Sequence, residues 1–185
     1  MQPASSWTIV VPVKGTDAAK SRFGADARRL DLAEAMALDT VEAALQVAAV
    51  LVVGSGDLSP FAELGALTMP EEPGDGLNGA IERAVATVQG SVAVLLADLP
   101  ALRPDELAAA LVENSMVPDA DGTGTTLITG RVPAFGAGSR AAHRALGYRE
   151  LELPATSGLR LDVDSPESLA AIPPARLGPR TLRLL

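Results

Sequence analysis

At 185 residues, 48% apolar and only 3% aromatic, the chain is long enough for one domain with an aliphatic core of Ala, Val and Leu. It contains no cysteine, which excludes a disulfide framework, a thiolate zinc site and a cysteine nucleophile. Its formal charge of −8 repels nucleic acid and anionic lipid, so an anionic ligand requires a locally positive site.

The first segment, residues 7–13, reads as a buried strand with Pro12 near its end, and a polar loop over residues 14–26 follows it. Asp26 is placed to cap the next helix. In that helix Leu30, Ala33, Ala37, Val41, Ala44, Leu45 and Ala48 recur at helical spacing, with Asp31, Glu34 and Glu42 between them. A strand over 50–53, a short helix over 59–64 and a strand over 66–69 continue a βαβαβ alternation. The turn-rich EEPGDG leads into a helix over 77–88 and a strand over 92–96, whose continuous apolarity predicts burial on both faces. Pro104 starts a helix over 105–113. Beyond it the order is irregular: extended over 125–129, helical over 139–146, extended over 148–153. The Pro- and Arg-rich stretch from residue 173 onward reads as an arm rather than core. A single α/β domain over 1–185, with a mostly parallel sheet and helices on both faces, is the simplest assembly.

Of fifteen basic residues only two, Lys14 and Lys20, are lysine, and both follow the first strand. With Arg22 they occupy the position beyond a parallel strand's carboxyl end where ligands sit in open α/β sheets. Lysine is a compact charge on a flexible stem, suited to delocalised phosphate charge, so the three are the expected anion clamp. No Gly-x4-Gly-Lys-Ser/Thr and no G-x-G-x-x-G opens the first helix, which disfavours the P-loop and dinucleotide readings. A buried strand ends in Asp98 within ADLPAL, at the same ligand edge. In RLDVDSPESL, Asp162 and Asp164 stand two apart on an extended segment and face the same side. Asp98, Asp162 and Asp164 together suit magnesium, although Asp164 with Ser165 and Pro166 equally fits a helix start. Two small-residue stretches, DGTGTTLI and FGAGS, fit either ordinary turns or anion cradles in which Thr125 and Ser139 add hydroxyl donors. His143, the sole histidine, reads as a partly exposed helix residue and is given no catalytic role.

Taken in order, VPVKGTDAAKSRF, GLNGAIERA, LLADLPAL, DGTGTTLI, FGAGS followed by His143, and LRLDVDSPESL resemble the guanylyltransferases of deazaflavin coenzyme (coenzyme F-420) biosynthesis, which use 2-phospho-L-lactate or phosphoenolpyruvate. The resemblance implies a nucleotidyltransferase-like fold of GT-A, Rossmann-like type. It implies an enzyme joining GMP from GTP to a small phosphorylated carboxylic acid, with magnesium as cofactor, pyrophosphate as product, and neither nucleic acid nor membrane as partner. By that resemblance Lys14, Lys20 and Arg22 hold the GTP phosphates, Asn78 lies near the nucleoside, and Asp98, Asp162 and Asp164 bind magnesium. Thr125, Gly136 and Ser139 meet the acceptor's phosphate. Two features depart from the family: Phe23 stands where leucine is usual, and the connection TLITGRVPA is short. The rival readings are a nucleotidyltransferase acting on a molybdopterin or sugar phosphate, and a nucleotide-binding regulatory module without catalysis. The apolar stretches are too short to cross a bilayer and MQPASSW lacks the features of a signal peptide, so the expected location is the cytoplasm.

Overall fold

In the computed structural model, which describes residues 6–13 and 27–185, the apolar runs line up as neighbouring strands. They are β1 (Trp7–Val13), β2 (Ala49–Gly54), β3 (Leu67–Pro70), β4 (Ser91–Leu95), β5 (Ser115–Pro118), β6 (Thr125–Thr129) and β7 (Arg149–Glu150), in the order β3-β2-β1-β4-β6-β5-β7. The first four pair in parallel. β6 runs antiparallel to both β4 and β5, which makes the sheet mixed.

Alternation along the strands builds two apolar layers. Ile9, Val11, Val50, Val52, Ala93 and Leu95 face one layer, while Val10, Leu51, Val53, Val92 and Val94 face the other. The first layer is covered by α1 (Ala27–Leu45), α2 (Ser59–Glu63) and α4 (Pro104–Ala110), through Ala37, Val41, Ala44, Phe61 and Leu107. The second is covered by α3 (Gly76–Thr87), through Ala80, Ile81, Ala84 and Val85. Helices on both faces explain why the central strands are apolar beyond their first residues, Thr8 of β1 and Ser91 of β4.

β5 was not foreseen as a strand, and the extended stretch predicted over 148–153 shrinks to the two residues of β7. The remaining helices are α5 (Ser139–Ala145), α6 (Pro166–Ala170) and α7 (Pro179–Leu182). The stretch expected to be an arm instead packs on α1. Leu177 and Ile172 join Met36 of α1 in a third apolar cluster with Ala101, Val163 and Leu169. The Gly178 amide donates to the Pro100 carbonyl at 2.7 Å. Among the described residues no helix is long and apolar enough to cross a membrane.

β1 and β4 lie side by side, but the chain leaves β1 toward β2 and β3 and leaves β4 toward β6. This reversal is the topological switch point at which open α/β sheets open a crevice beyond the strands' carboxyl ends.

Candidate active site

Asp98 lies three residues beyond β4, at that crevice. Its backbone is held from three directions. Thr40 of α1, fully buried, places its hydroxyl 3.1 Å from the Ala97 carbonyl and accepts from the Leu99 amide at 3.2 Å, so one side chain grips the peptides on either side of Asp98. The same hydroxyl lies 2.8 Å from the Met36 carbonyl in its own helix. The Asp98 carbonyl in turn accepts from the Val163 amide at 3.0 Å. Val163 sits between Asp162 and Asp164, so this bond carries the second acidic stretch to the first.

The approach is close because Gly158 has no side chain. A Cβ there would stand 2.1 Å from the Ala101 carbonyl oxygen, so only glycine lets this loop rest on the turn after Asp98. Removing the Thr40 hydroxyl while keeping its volume leaves the buried Leu99 amide without its acceptor. Thr40→Val is accordingly expected to cost about 1–3 kcal/mol and to reduce turnover, whereas Thr40→Ser retains both; urea unfolding and a turnover assay on the two variants check this.

Asp162 is half-buried, and its carboxyl is raised to about 6, first by burial, then by the neighbouring Asp164 and Asp119 charges, against a backbone hydrogen bond from Ala120. The segment is irregular rather than a strand, and Asp164 is exposed. The start of α6 belongs to Ser165: its hydroxyl accepts from the Ser168 amide at 3.1 Å in a capping box, with Pro166 in the first turn. Asp164 is thus not consumed as the cap. Among the described residues, no three His, Asp or Glu side chains form a ready metal cage.

The two small-residue stretches meet each other, and the first begins beside Ala120, whose amide donates to Asp162. The Arg140 amide donates to the Thr123 carbonyl at 3.2 Å, and the Arg140 guanidinium, paired with both oxygens of Glu150 at 3.0 and 2.7 Å, also donates to the Gly122 carbonyl at 2.8 Å. Thr125 and Ser139 are buried. Gly136 has φ +133° with open space where a Cβ would be, a conformation L side chains rarely adopt.

His143 is not partly exposed, as its place in a short helix suggested, but fully buried. It packs edge-on against Phe135 and Tyr148, with ring centroids 4.9 and 5.6 Å away. Its Nε2 accepts from the Ala134 amide at 2.9 Å, which puts the ring proton on Nδ1, 3.0 Å from the Thr125 hydroxyl. Asn78, expected near the nucleoside, donates from Nδ2 to the Phe135 carbonyl at 2.8 Å and accepts from the Phe135 amide through Oδ1 at 2.9 Å. Lys14, Lys20 and Arg22, and the expected cap Asp26, lie outside the described residues.

With this geometry, residues 7–136 match the family described as Guanylyl transferase CofC like. A phosphoenolpyruvate guanylyltransferase of Streptomyces scabiei is 47% identical, covering 95% of this chain and 94% of its own. One of Geodermatophilus obscurus is 42% identical over all of this chain and 96% of its own. The chain belongs to this family of guanylyltransferases. The fold also extends beyond it. The Mycobacterium tuberculosis protein Rv0371c superposes with a TM-score of 0.60 at 18% identity, over 92% of this chain and 98% of that one. The 2-C-methyl-D-erythritol 4-phosphate cytidylyltransferase of Thermus thermophilus does so with 0.53 at 17% identity, over 89% and 96%.

Within this guanylyltransferase the short connection TLITGRVPA is tied down at two points. Arg131 donates to the carbonyls of Val85, Val88 and Gly90 at the end of α3, at 3.1, 3.1 and 2.7 Å. The Tyr148 hydroxyl donates to the Val132 carbonyl and accepts from its amide, both at 3.1 Å. The residues missed in the sequence (Thr40, Asn78 as a loop anchor, Arg131 and Arg140) all act on backbone groups distant in the chain, which no local pattern announces.

Burial holds the His143 imidazole below the ordinary histidine range, partly opposed by the Ser139 carbonyl. The neutral ring is therefore the folded form. Its contribution to stability is present above about pH 6.5, the unfolded value, and is lost as pH falls through the lower folded value. The urea midpoint is expected to fall more between pH 7.5 and 5.5 in the parent than in His143→Gln, which cannot titrate but can still accept from Ala134.

Proposed function

We propose that this guanylyltransferase joins GMP from GTP to phosphoenolpyruvate, releasing pyrophosphate, as a step in coenzyme F-420 biosynthesis. The observation that carries this reading is similarity at 42–47% identity, over nearly the whole chain, to relatives named phosphoenolpyruvate guanylyltransferase. The fold supports it, since Asp98 follows β4 at the switch point between β1 and β4 and the Asp98 carbonyl accepts from Val163, between Asp162 and Asp164.

In this reading an oxygen of the acceptor phosphate attacks the α-phosphorus of GTP. A new P–O bond forms, the bond to the β-phosphate oxygen breaks, and pyrophosphate leaves with the electron pair. The nucleophile is already ionised, so no general base is needed. His143 is unsuited to that task in any case, because burial favours its neutral form and Nε2 already accepts a backbone proton. Catalysis then rests on bringing two anions together and stabilising the charge that develops between them. Lys14, Lys20 and Arg22, which follow β1 in the sequence, are assigned to the triphosphate. Thr125, Gly136 and Ser139 are assigned to the acceptor phosphate.

The acids fit a hard divalent cation of the magnesium type. Asp162 is resisted in its ionised form by burial and by Asp164 and Asp119, a strain a cation would relieve. A magnesium-type ion takes few protein oxygens and completes its shell with water and phosphate oxygens. Asp98, Asp162 and Asp164 would hold it, and when bound it supplies charge neutralisation at the transferring phosphates. A relation in fold accompanies this: Rv0371c, also solved with manganese, superposes with a TM-score of 0.58 at 19% identity, over 91% of this chain and 98% of that one.

The test is a pyrophosphate-release assay crossing GTP and ATP with phosphoenolpyruvate, 2-phospho-L-lactate and a phosphoglycerate, with magnesium and with chelator. Release is expected with GTP, phosphoenolpyruvate and magnesium. Preference for a molybdopterin or sugar phosphate would move the enzyme to another acceptor class. GTP binding without release for any acceptor would make it a regulatory module.

A further inference from the structure

We infer that Asn78 is the positioning residue of the acceptor loop, an assignment that rests on the guanylyl-transfer reading above. The loop from Ala134 to Ser139 contains Gly136 at φ +133° and Gly138 at φ +70°, both with open space around the missing side chain. Glycines at such positions permit a shape without enforcing it. The Gly136 carbonyl accepts from the Ser139 amide at 3.1 Å within the loop, and side chains beyond the loop reach it through the peptides before Gly136.

Two side chains from separate helices do so. His143 of α5 accepts from the Ala134 amide, and Asn78 of α3 accepts from the next amide, that of Phe135, while donating to the Phe135 carbonyl. The Phe135 ring is buried in the α3 layer and meets His143 edge-on. Residue 135 is thereby fixed at its amide, carbonyl and ring. The direction in which the chain enters Gly136 is set by these contacts, with Asn78 gripping both polar groups of the residue before it.

Both ends of the Asn78 carboxamide are occupied by this grip. Holding the loop and touching a nucleoside predict different losses. A pre-shaped loop lowers the ordering cost of binding its own ligand and leaves other ligands unaffected.

The decisive experiment compares the parent with Asn78→Ala and Asn78→Asp as full-length proteins, varying phosphoenolpyruvate at saturating GTP and GTP at saturating phosphoenolpyruvate. In Asn78→Ala the KM for phosphoenolpyruvate is expected to rise about tenfold or more, corresponding to about 1.4 kcal/mol, with the KM for GTP within about twofold of the parent's. Asn78→Asp, which still accepts from the Phe135 amide but opposes its carbonyl, should fall between. A rise confined to GTP would make Asn78 a nucleoside ligand and overturn the assignment. Equal rises for both substrates together with a lower Tm would reduce it to a general fold contact, and unchanged KM values would also refute it.

Hydrogen exchange over residues 133–139 reads the grip without any turnover. Faster exchange there in Asn78→Ala, with the central strands unchanged, is expected, and unchanged exchange rejects the grip. If the parent releases no pyrophosphate with phosphoenolpyruvate, the reaction assignment fails while exchange still decides whether Asn78 holds the loop.

Discussion

Asp98→Asn is expected to lower pyrophosphate release from GTP and phosphoenolpyruvate by at least about 10²–10³-fold, the range measured when one charge-stabilising contact is removed from a transition state. Its Tm is expected to stay within about 2 °C of the parent's, a change of no more than about 1 kcal/mol in a domain this size. The two halves of the prediction separate because backbone contacts hold the position of residue 98. Thr40 holds the peptides on either side and Val163 holds the carbonyl, and none of these requires the carboxylate. Asparagine conserves size and removes the charge. Near-parental turnover with magnesium present would take Asp98 out of the reaction, and a collapse of Tm would show that the carboxylate serves the fold.

The largest effect on stability is expected at Asp39. Its side chain is 2% exposed, and its two oxygens collect the Arg180 amide at 3.1 Å, the Arg180 guanidinium at 3.4 Å, and the Thr181 amide and hydroxyl at 2.8 Å each. One carboxylate of α1 thus satisfies the first turn of α7 and pairs with its arginine. Arg180 also reaches Glu42 at 2.7 Å, and that contact holds the Glu42 carboxyl below its usual range despite some burial. Truncation to alanine leaves the amides and the buried Thr181 hydroxyl without acceptors and the guanidinium with only its more exposed partner. Breaking a buried, hydrogen-bonded charge in this way costs about 3–5 kcal/mol, or a fall in Tm of about 10 °C or more. Thermal unfolding of Asp39→Ala checks the magnitude, and protease sensitivity of the last dozen residues checks the cause. A Tm close to the parent's would mean that α7 is held by its apolar contacts alone.

The C-terminal stretch also shows where sequence reading stops. Its prolines and arginines look like those of a solvated arm, and the reason it is not one lies some 140 residues away in Asp39. The stripe Ala37, Val41, Ala44 announces the face of α1 that meets the sheet, and that face is buried. Met36, Asp39 and Thr40 on the rest of the helix are buried as well, under segments that arrive later in the chain. Helical periodicity reports one apolar face. A polar pair such as Asp39 and Thr40, buried because it is fully hydrogen-bonded, leaves no trace in it. His143 was misjudged for the same reason, since a lone histidine in a seven-residue helix gives no sign of the Phe135 and Tyr148 rings around it.

What the residues decided by themselves is the alternation of apolar runs with amphipathic helices: the runs of β1 and β4 read as buried strands, and a mostly parallel sheet with helices on both faces was the expected assembly. The order of ADLPAL, LDVDSPE and the two glycine-rich stretches was likewise enough to name a family. The tertiary structure alone decided which polar groups meet. A hydrogen bond between Val163 and Asp98, or between Asn78 and Phe135, depends on an approach of a few ångströms between segments about 60 residues apart, and that distance is set by packed layers and a missing side chain at Gly158, not by anything either segment carries.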